Sequence, residues 1–245
     1  MTERQEDRLI ERRSELSGRP GWLPTSWRRR LRYPFKHPFS GLSHLAGAAL
    51  SLVGLLVLIV AAGGKPWHTV AFAVYGATLV VLYTASALYH LLHVPRAQEE
   101  RLYALDRAAI FALIAGTYTP ICLIALPPAW GWSLLGVVWG LAAVGIVVDI
   151  LARCRTPHWL QALLYLVTGW VALVALGPLV RALPPAGLGW LAAGCLVYTV
   201  GAVVCVTERP RLKPGLFGAH DLWHVLVLAG SICHFILMLL FIAPR

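Results

Sequence analysis

FGAHDLWHVLVLAGSICHF, residues 217–235, is apolar enough to cross a bilayer, yet it carries three histidines and an aspartate. Two of the histidines, His220 and His224, stand four apart, which on a helix puts them on one face. Ionisable side chains are costly in lipid and usually turn towards a partner or a cavity. The stretch thus reads as a membrane-crossing helix that carries chemistry on one of its faces.

The rest of the chain agrees with a membrane reading. Of its 245 residues, 58% are hydrophobic and 13% charged, and the mean hydropathy is +0.70. Soluble domains run at roughly 45–50% apolar and about 25% charged. Crossing the hydrocarbon takes about 20 apolar residues, and seven runs qualify: 40–62, 68–92, 103–126, 131–152, 159–180, 187–207 and 217–242. In lipid only helices satisfy their backbone over such lengths. The fold class is therefore all-α, a polytopic seven-transmembrane helix bundle forming one domain over 39–245. Residues 1–38 are polar, basic and rich in Pro, Gly and Ser, and are expected to form a mostly disordered cytoplasmic tail. No signal-peptide pattern stands at the start. The five cysteines are scattered in or beside apolar runs with no CxxC pair, which suits buried small hydrophobes.

Lysine and arginine orient the bundle. Numbering the connectors alternately, eighteen of them lie on the N-terminal side and only Lys65, Arg181 and Arg245 on the other. The positive-inside rule then predicts a cytoplasmic N-terminus and an external C-terminus, in the plasma (bacterial inner) membrane. The net charge of +10 is accounted for by anionic lipid at the cytoplasmic face and needs no nucleic acid. Trp67, Trp130, Trp132, Trp159 and Trp190 fall at span ends, where an interfacial belt places them.

With the directions set, polar residues from four spans meet at one depth near the cytoplasmic end: His44, Ser86 and His90, Asp106, and His220, Asp221 and His224. Ser86 and His90 share a helix face, as do His220 and His224. His234 is about 15 Å further along and roughly 80° off that face. Three neutral imidazoles from two helices match a zinc site with three protein ligands and one open position. The reading places His90, His220 and His224 on the metal, with their nitrogens within about 4 Å of one another. Asp106 then holds a water, and Ser86 hydrogen-bonds the water or a substrate carbonyl.

Plainer readings stand beside this one. Histidines often just hydrogen-bond between membrane helices. Asp106 has Arg107 next to it, although adjacent helical residues do not face each other. HDLWH is similar to the HExxH zinc signature, which would make Asp221 a general base; it points about 100° off the histidine face, so a structural role competes. His44 is either site-lining or a packing hydrogen bonder. Asp149 is most simply paired with Arg153 at i+4. His68, His93 and His158 stand at span ends, and His37 lies in the tail.

SALYHLL, ALDRAAIFALIAGTYTP, LYLVTGW, LVYTVGAV and HDLWHVLVLAGSICHF together resemble the hemolysin III family, the bacterial branch of the progestin and adipoQ receptor superfamily. The resemblance covers about residues 40–242. It implies seven helices, a cytoplasmic N-terminus and a zinc site in the inner-leaflet half. Its zinc histidines map to His90, His220 and His224, its water-linked aspartate to Asp106 and its serine to Ser86. One block departs: where the family's first helix opens with Glu, Asn and His, this chain has His37, Ser40 and His44.

Three functions follow as expectations. The resemblance implies a zinc-dependent hydrolase cleaving the amide of a membrane lipid such as a ceramide. The family name implies a pore-forming cytolysin, although a pore needs a polar stripe along several spans and spans 4, 5 and 6 are almost bare of polar residues. A zinc- or lipid-sensing protein without turnover is the third.

Overall fold

The computed structural model describes residues 35–152, 154–210 and 217–245. Seven helices there are long and apolar enough to cross a membrane: α1 (Pro38–Ala61), α2 (Pro66–Leu91), α3 (Arg96–Ala125), α4 (Pro128–Leu151), α5 (His158–Ala182), α6 (Pro185–Thr207) and α7 (Ala219–Ile242). They match the seven spans expected from the sequence to within a turn, apart from the start of α3. That helix begins at Arg96 because RAQEER consists largely of good helix formers, and Arg96 Nε reaches Glu100 one turn on at 3.0 Å. The tail reading for residues 1–34, and the charges Arg153, Arg211 and Lys213, lie outside the described residues. Lys36 and His37, counted with the tail above, are described: the His37 N–H donates to the His90 carbonyl at 2.8 Å, and Lys36 pairs with Glu99.

Proline sets most helix starts. It stands at the beginning of α1, α2, α4 and α6 and immediately before α3 and α5, where its fixed φ helps and its missing N–H costs nothing. α7 starts differently: the Asp221 carboxylate accepts the Gly218 N–H at 2.9 Å, capping the helix end.

The helices pack in a ring, with α1 on α2, α2 on α3, α3 on α4, α5 on α6, α6 on α7 and α7 back on α1. α2 and α3 are the most buried spans and α5 the least. Phe72, Tyr75, Tyr83, Phe111, Leu58 and Leu237 form the centre of the core. Outward faces are apolar, as on α1 with Leu50, Val53, Leu56 and Val60, which is what a surface facing lipid requires. All five belt tryptophans named above are exposed near helix ends.

α5 is broken in the middle. Val171–Ala175 tightens to a 3-10 turn between two α-helical halves. Pro178 follows the break; it has no N–H for the Val174 carbonyl four residues back, and its ring crowds that carbonyl. Lipid offers no water to backbone groups at such a break. Tyr118 of α3 meets two groups at its start, its hydroxyl donating to Gly169 O at 2.5 Å and accepting from Ala172 N at 2.8 Å.

Arg153, the partner expected for Asp149, lies outside the described residues. Asp149 pairs with Arg107 of α3, with Nε to Oδ2 at 2.8 Å and Nη2 to Oδ1 at 2.6 Å. Thr156 Oγ1 donates to the same carboxylate at 3.0 Å, and Arg107 Nη1 donates to Tyr103 Oη at 2.9 Å. A planar guanidinium matches a carboxylate with two parallel bonds, and both groups are buried.

Candidate metal centre

α2 ends, and α1, α3 and α7 begin, on the same face of the bundle, the one that carries residue 35. Its polar residues therefore converge. His90 is in the last turn of α2; His220 and His224 occupy the first two turns of α7. Each of the three offers a ligand atom, and these atoms all lie within 4.8 Å of one another, a little wider than the 4 Å expected. Nε2 of His220 and Nε2 of His224 are 3.1 Å apart. A tetrahedral metal with Zn–N bonds of ~2.0–2.1 Å would set that edge at about 3.3 Å. His90 and His224 are buried, and His90 Nδ1 has no hydrogen-bond partner. Three imidazoles with a buried nitrogen lacking a partner fit a zinc ion, a metal that imidazole suits. No carboxylate belongs to this group among the described residues.

Asp106 is close by but separate. It lines a cavity of about 1000 Å³ together with His90, His220, His37, Tyr103 and His158. The buried Ser86 hydroxyl donates to its carboxylate, so the hydroxyl that sequence reading assigned to water or substrate is directed at Asp106. A smaller apolar cavity of about 110 Å³ continues into the bundle. Ile110, Tyr165, Ala202 and Trp223 line both.

Asp221 is held by two hydrogen bonds, from Gly218 N and from Ser40 Oγ at 2.6 Å. Its carboxylate is committed to the cap and to α1, which leaves it poorly placed as a base. His44, undecided from sequence, sits against the cluster, its Nε2 3.0 Å from His224 Nδ1. His37 turns its ring edge-on to His90, with centroids 5.6 Å apart; partial burial and the Lys36 ammonium hold its imidazole below the ordinary histidine range. His234 stacks on Tyr198 at 5.5 Å, away from the cluster. Sequence reasoning missed Tyr103 and weighed Arg107 only as a neighbour of Asp106, although both line the cavity; the signal was a charged and a phenolic side chain one turn apart near the start of α3.

The sequence matches the family described as Haemolysin-III related over residues 33–235. This chain belongs to the hemolysin III family. Hemolysin-3 of Bacillus cereus is 38% identical over 208 residues, covering 84% of this chain and 91% of the relative. The Hemolysin-3 homolog of Bacillus subtilis (strain 168) is 34% identical over 204 residues, covering 82% and 92%. Heptahelical transmembrane protein ADIPOR2 of Oryza sativa subsp. japonica is 30% identical over 197 residues, covering 71% and 81%. These likenesses set the hemolysin III family within the progestin and adipoQ receptor superfamily. The block in which this hemolysin III chain departs from the family pattern still touches the cluster: Ser40 through Asp221, His37 through His90 and His44 through His224.

Proposed function

We propose that the chain is an intramembrane zinc-dependent hydrolase acting on the amide of a membrane lipid, with its site in the cytoplasmic half of the bilayer. The observation that carries this reading is the convergence of His90, His220 and His224 beside one cavity that Asp106 also lines. Zinc held by three histidines polarises a carbonyl and lowers the pKa of a water to ~7. The chain's own groups do the rest. Asp106, fixed by the Ser86 hydroxyl, accepts the proton of an attacking water and returns it to the departing amine, the work of a positioned general base and acid. The larger cavity receives the polar end of the lipid, and the apolar cavity beyond Trp223 and Tyr165 excludes water from the chain behind it.

The excess of lysine and arginine on the N-terminal side supports a cytoplasmic N-terminus and contact with anionic lipid there. The printed names of the two Bacillus relatives favour a second reading, cytolysis. Against it, the buried charged side chains, Arg107 and Asp149, lie at the same end of the bundle as the histidine cluster and do not line it from face to face.

Fatty-acid release from a panel of ceramides, measured on metal-loaded protein in detergent, tests the proposal. Turnover that disappears on metal removal is expected. Stoichiometric zinc with no release from any lipid would replace the hydrolase with a zinc or lipid sensor. Dye leakage from vesicles without zinc would favour the cytolysin.

A further inference from the structure

We propose that His44 is a positioning residue for the metal centre: its Nε2 accepts a hydrogen bond from the N–H that His224 carries on Nδ1 once His224 Nε2 is a ligand. The inference rests on the metal-centre reading above. His224 has its two nitrogens aimed in different directions. Nε2 faces His220 Nε2 at 3.1 Å, and Nδ1 faces His44 Nε2 at 3.0 Å. A neutral imidazole has one N–H and one lone pair. A metal on Nε2 takes the lone pair there and leaves the proton on Nδ1. His224 is only 2% exposed, so that N–H needs an acceptor inside the protein, or its desolvation is uncompensated.

His44 is built to be that acceptor. It is itself 3% exposed and comes from α1, a different helix from any of the three cluster histidines. Its Nε2 lies 3.0 Å from the His224 ring nitrogen and 3.4 Å from the His224 carbonyl. With the lone pair on Nε2 only the ring N–H can bond it, and the proton of His44 sits on Nδ1, which has no hydrogen-bond partner among the described residues. Packing fixes the approach. Gly47, three residues on, lets Leu228 and Tyr83 close in to where an added Cβ would meet them at 2.8 and 2.9 Å. Tyr83 also meets the His44 ring edge-on at 5.0 Å. α1 is thereby held close enough to α7 for a short contact between imidazoles. A partner that fixes the tautomer and ring angle of a ligand histidine is worth about 10- to 100-fold in metal affinity.

The test is zinc affinity by chelator competition on the full chain in detergent, with the visible spectrum of the cobalt form as a second readout. His44→Gln keeps an acceptor near the Nε2 position and should bind close to wild type. His44→Phe keeps an aromatic ring but no acceptor; it should bind about 10- to 100-fold more weakly and shift the cobalt spectrum, with the metal-free melting temperature little changed. Should the Phe variant not fold, His44→Leu is read in the same way. Wild-type affinity in the variant without an acceptor overturns the proposal, as does a Gln variant as weak as Phe, which would mean that an acceptor at this position does not support the ligand. If wild type itself takes up no metal, the metal-centre reading falls and this inference with it. Tight wild-type binding with an unaffected Phe variant removes only the role of His44.

Discussion

Replacing Asp149 by alanine leaves the Arg107 guanidinium without the two acceptors it meets at 2.6 and 2.8 Å, and leaves Thr156 Oγ1 without its own. The side chains of the pair are 7% and 6% exposed, so water cannot replace what is lost. Hydrogen bonds to charged groups contribute about 1.5–3 kcal/mol each. Breaking a buried pair from one side costs about 3–5 kcal/mol, because the remaining charge is uncompensated. Tyr103 holds one further N–H of Arg107, which places the expected loss towards the lower end of that range. Reversible unfolding in mixed micelles, followed as detergent composition is varied, reads it directly. Removing both charges, as in Arg107→Met with Asp149→Leu, should restore most of the loss, since apolar replacement of a buried pair is often neutral. A loss below about 1 kcal/mol for Asp149→Ala, or a double variant no better than the single one, would refute the reasoning and return Asp149 to an ordinary helix-end role.

Three further outcomes are expected. His224→Ala should lose zinc by elemental analysis, since two histidines are too few for a tight site, whereas Asp106→Asn should keep zinc and lose lipid hydrolysis; equal metal loss in both would make Asp106 a ligand. Gly131→Ala should destabilise by about 1–3 kcal/mol, as overpacking does, because its Cβ would stand 2.1 Å from the backbone oxygen of Cys122. Gly140→Ala, where nothing lies within 4 Å, should be neutral or stabilising by about 0.5–1 kcal/mol, and thermal melts of the two variants make the comparison. In a cysteine-free background, a cysteine at Glu100 should react with a membrane-impermeant maleimide only from the cytoplasmic side and one at Arg181 only from outside; the opposite pattern would reverse the bundle.

The spans were legible because lipid demands long apolar runs, and proline marks their starts. The gathering of His90, Asp106, His220 and His224 at one end was legible as well, since direction alone fixes depth in a membrane bundle. What sequence spacing could not carry was rotation about each helix axis against its neighbours. Asp149 had an arginine four residues on in the sequence, and nothing in the spacing points to Arg107, on another helix. His44 stayed undecided for the same reason: its depth was evident, but the face it shows to α7 depends on how closely Gly47 lets the helices approach. Ser86 was placed near Asp106 in depth, yet which group its hydroxyl meets is a matter of a few ångströms of packing.

The Tyr118 hydroxyl that bridges the break in α5 ties the order of assembly to the order of synthesis. An isolated α5 released into lipid would carry an uncompensated carbonyl at Gly169 and amide at Ala172, each unsatisfied group costing several kcal/mol there. Both are met by one side chain from α3, two spans earlier in the chain. A ribosome delivers α3 first, so the group that α5 needs is already in the membrane when α5 arrives. A permuted chain that made α5 before α3 would have to hold a half-finished helix in hydrocarbon until its tyrosine appeared.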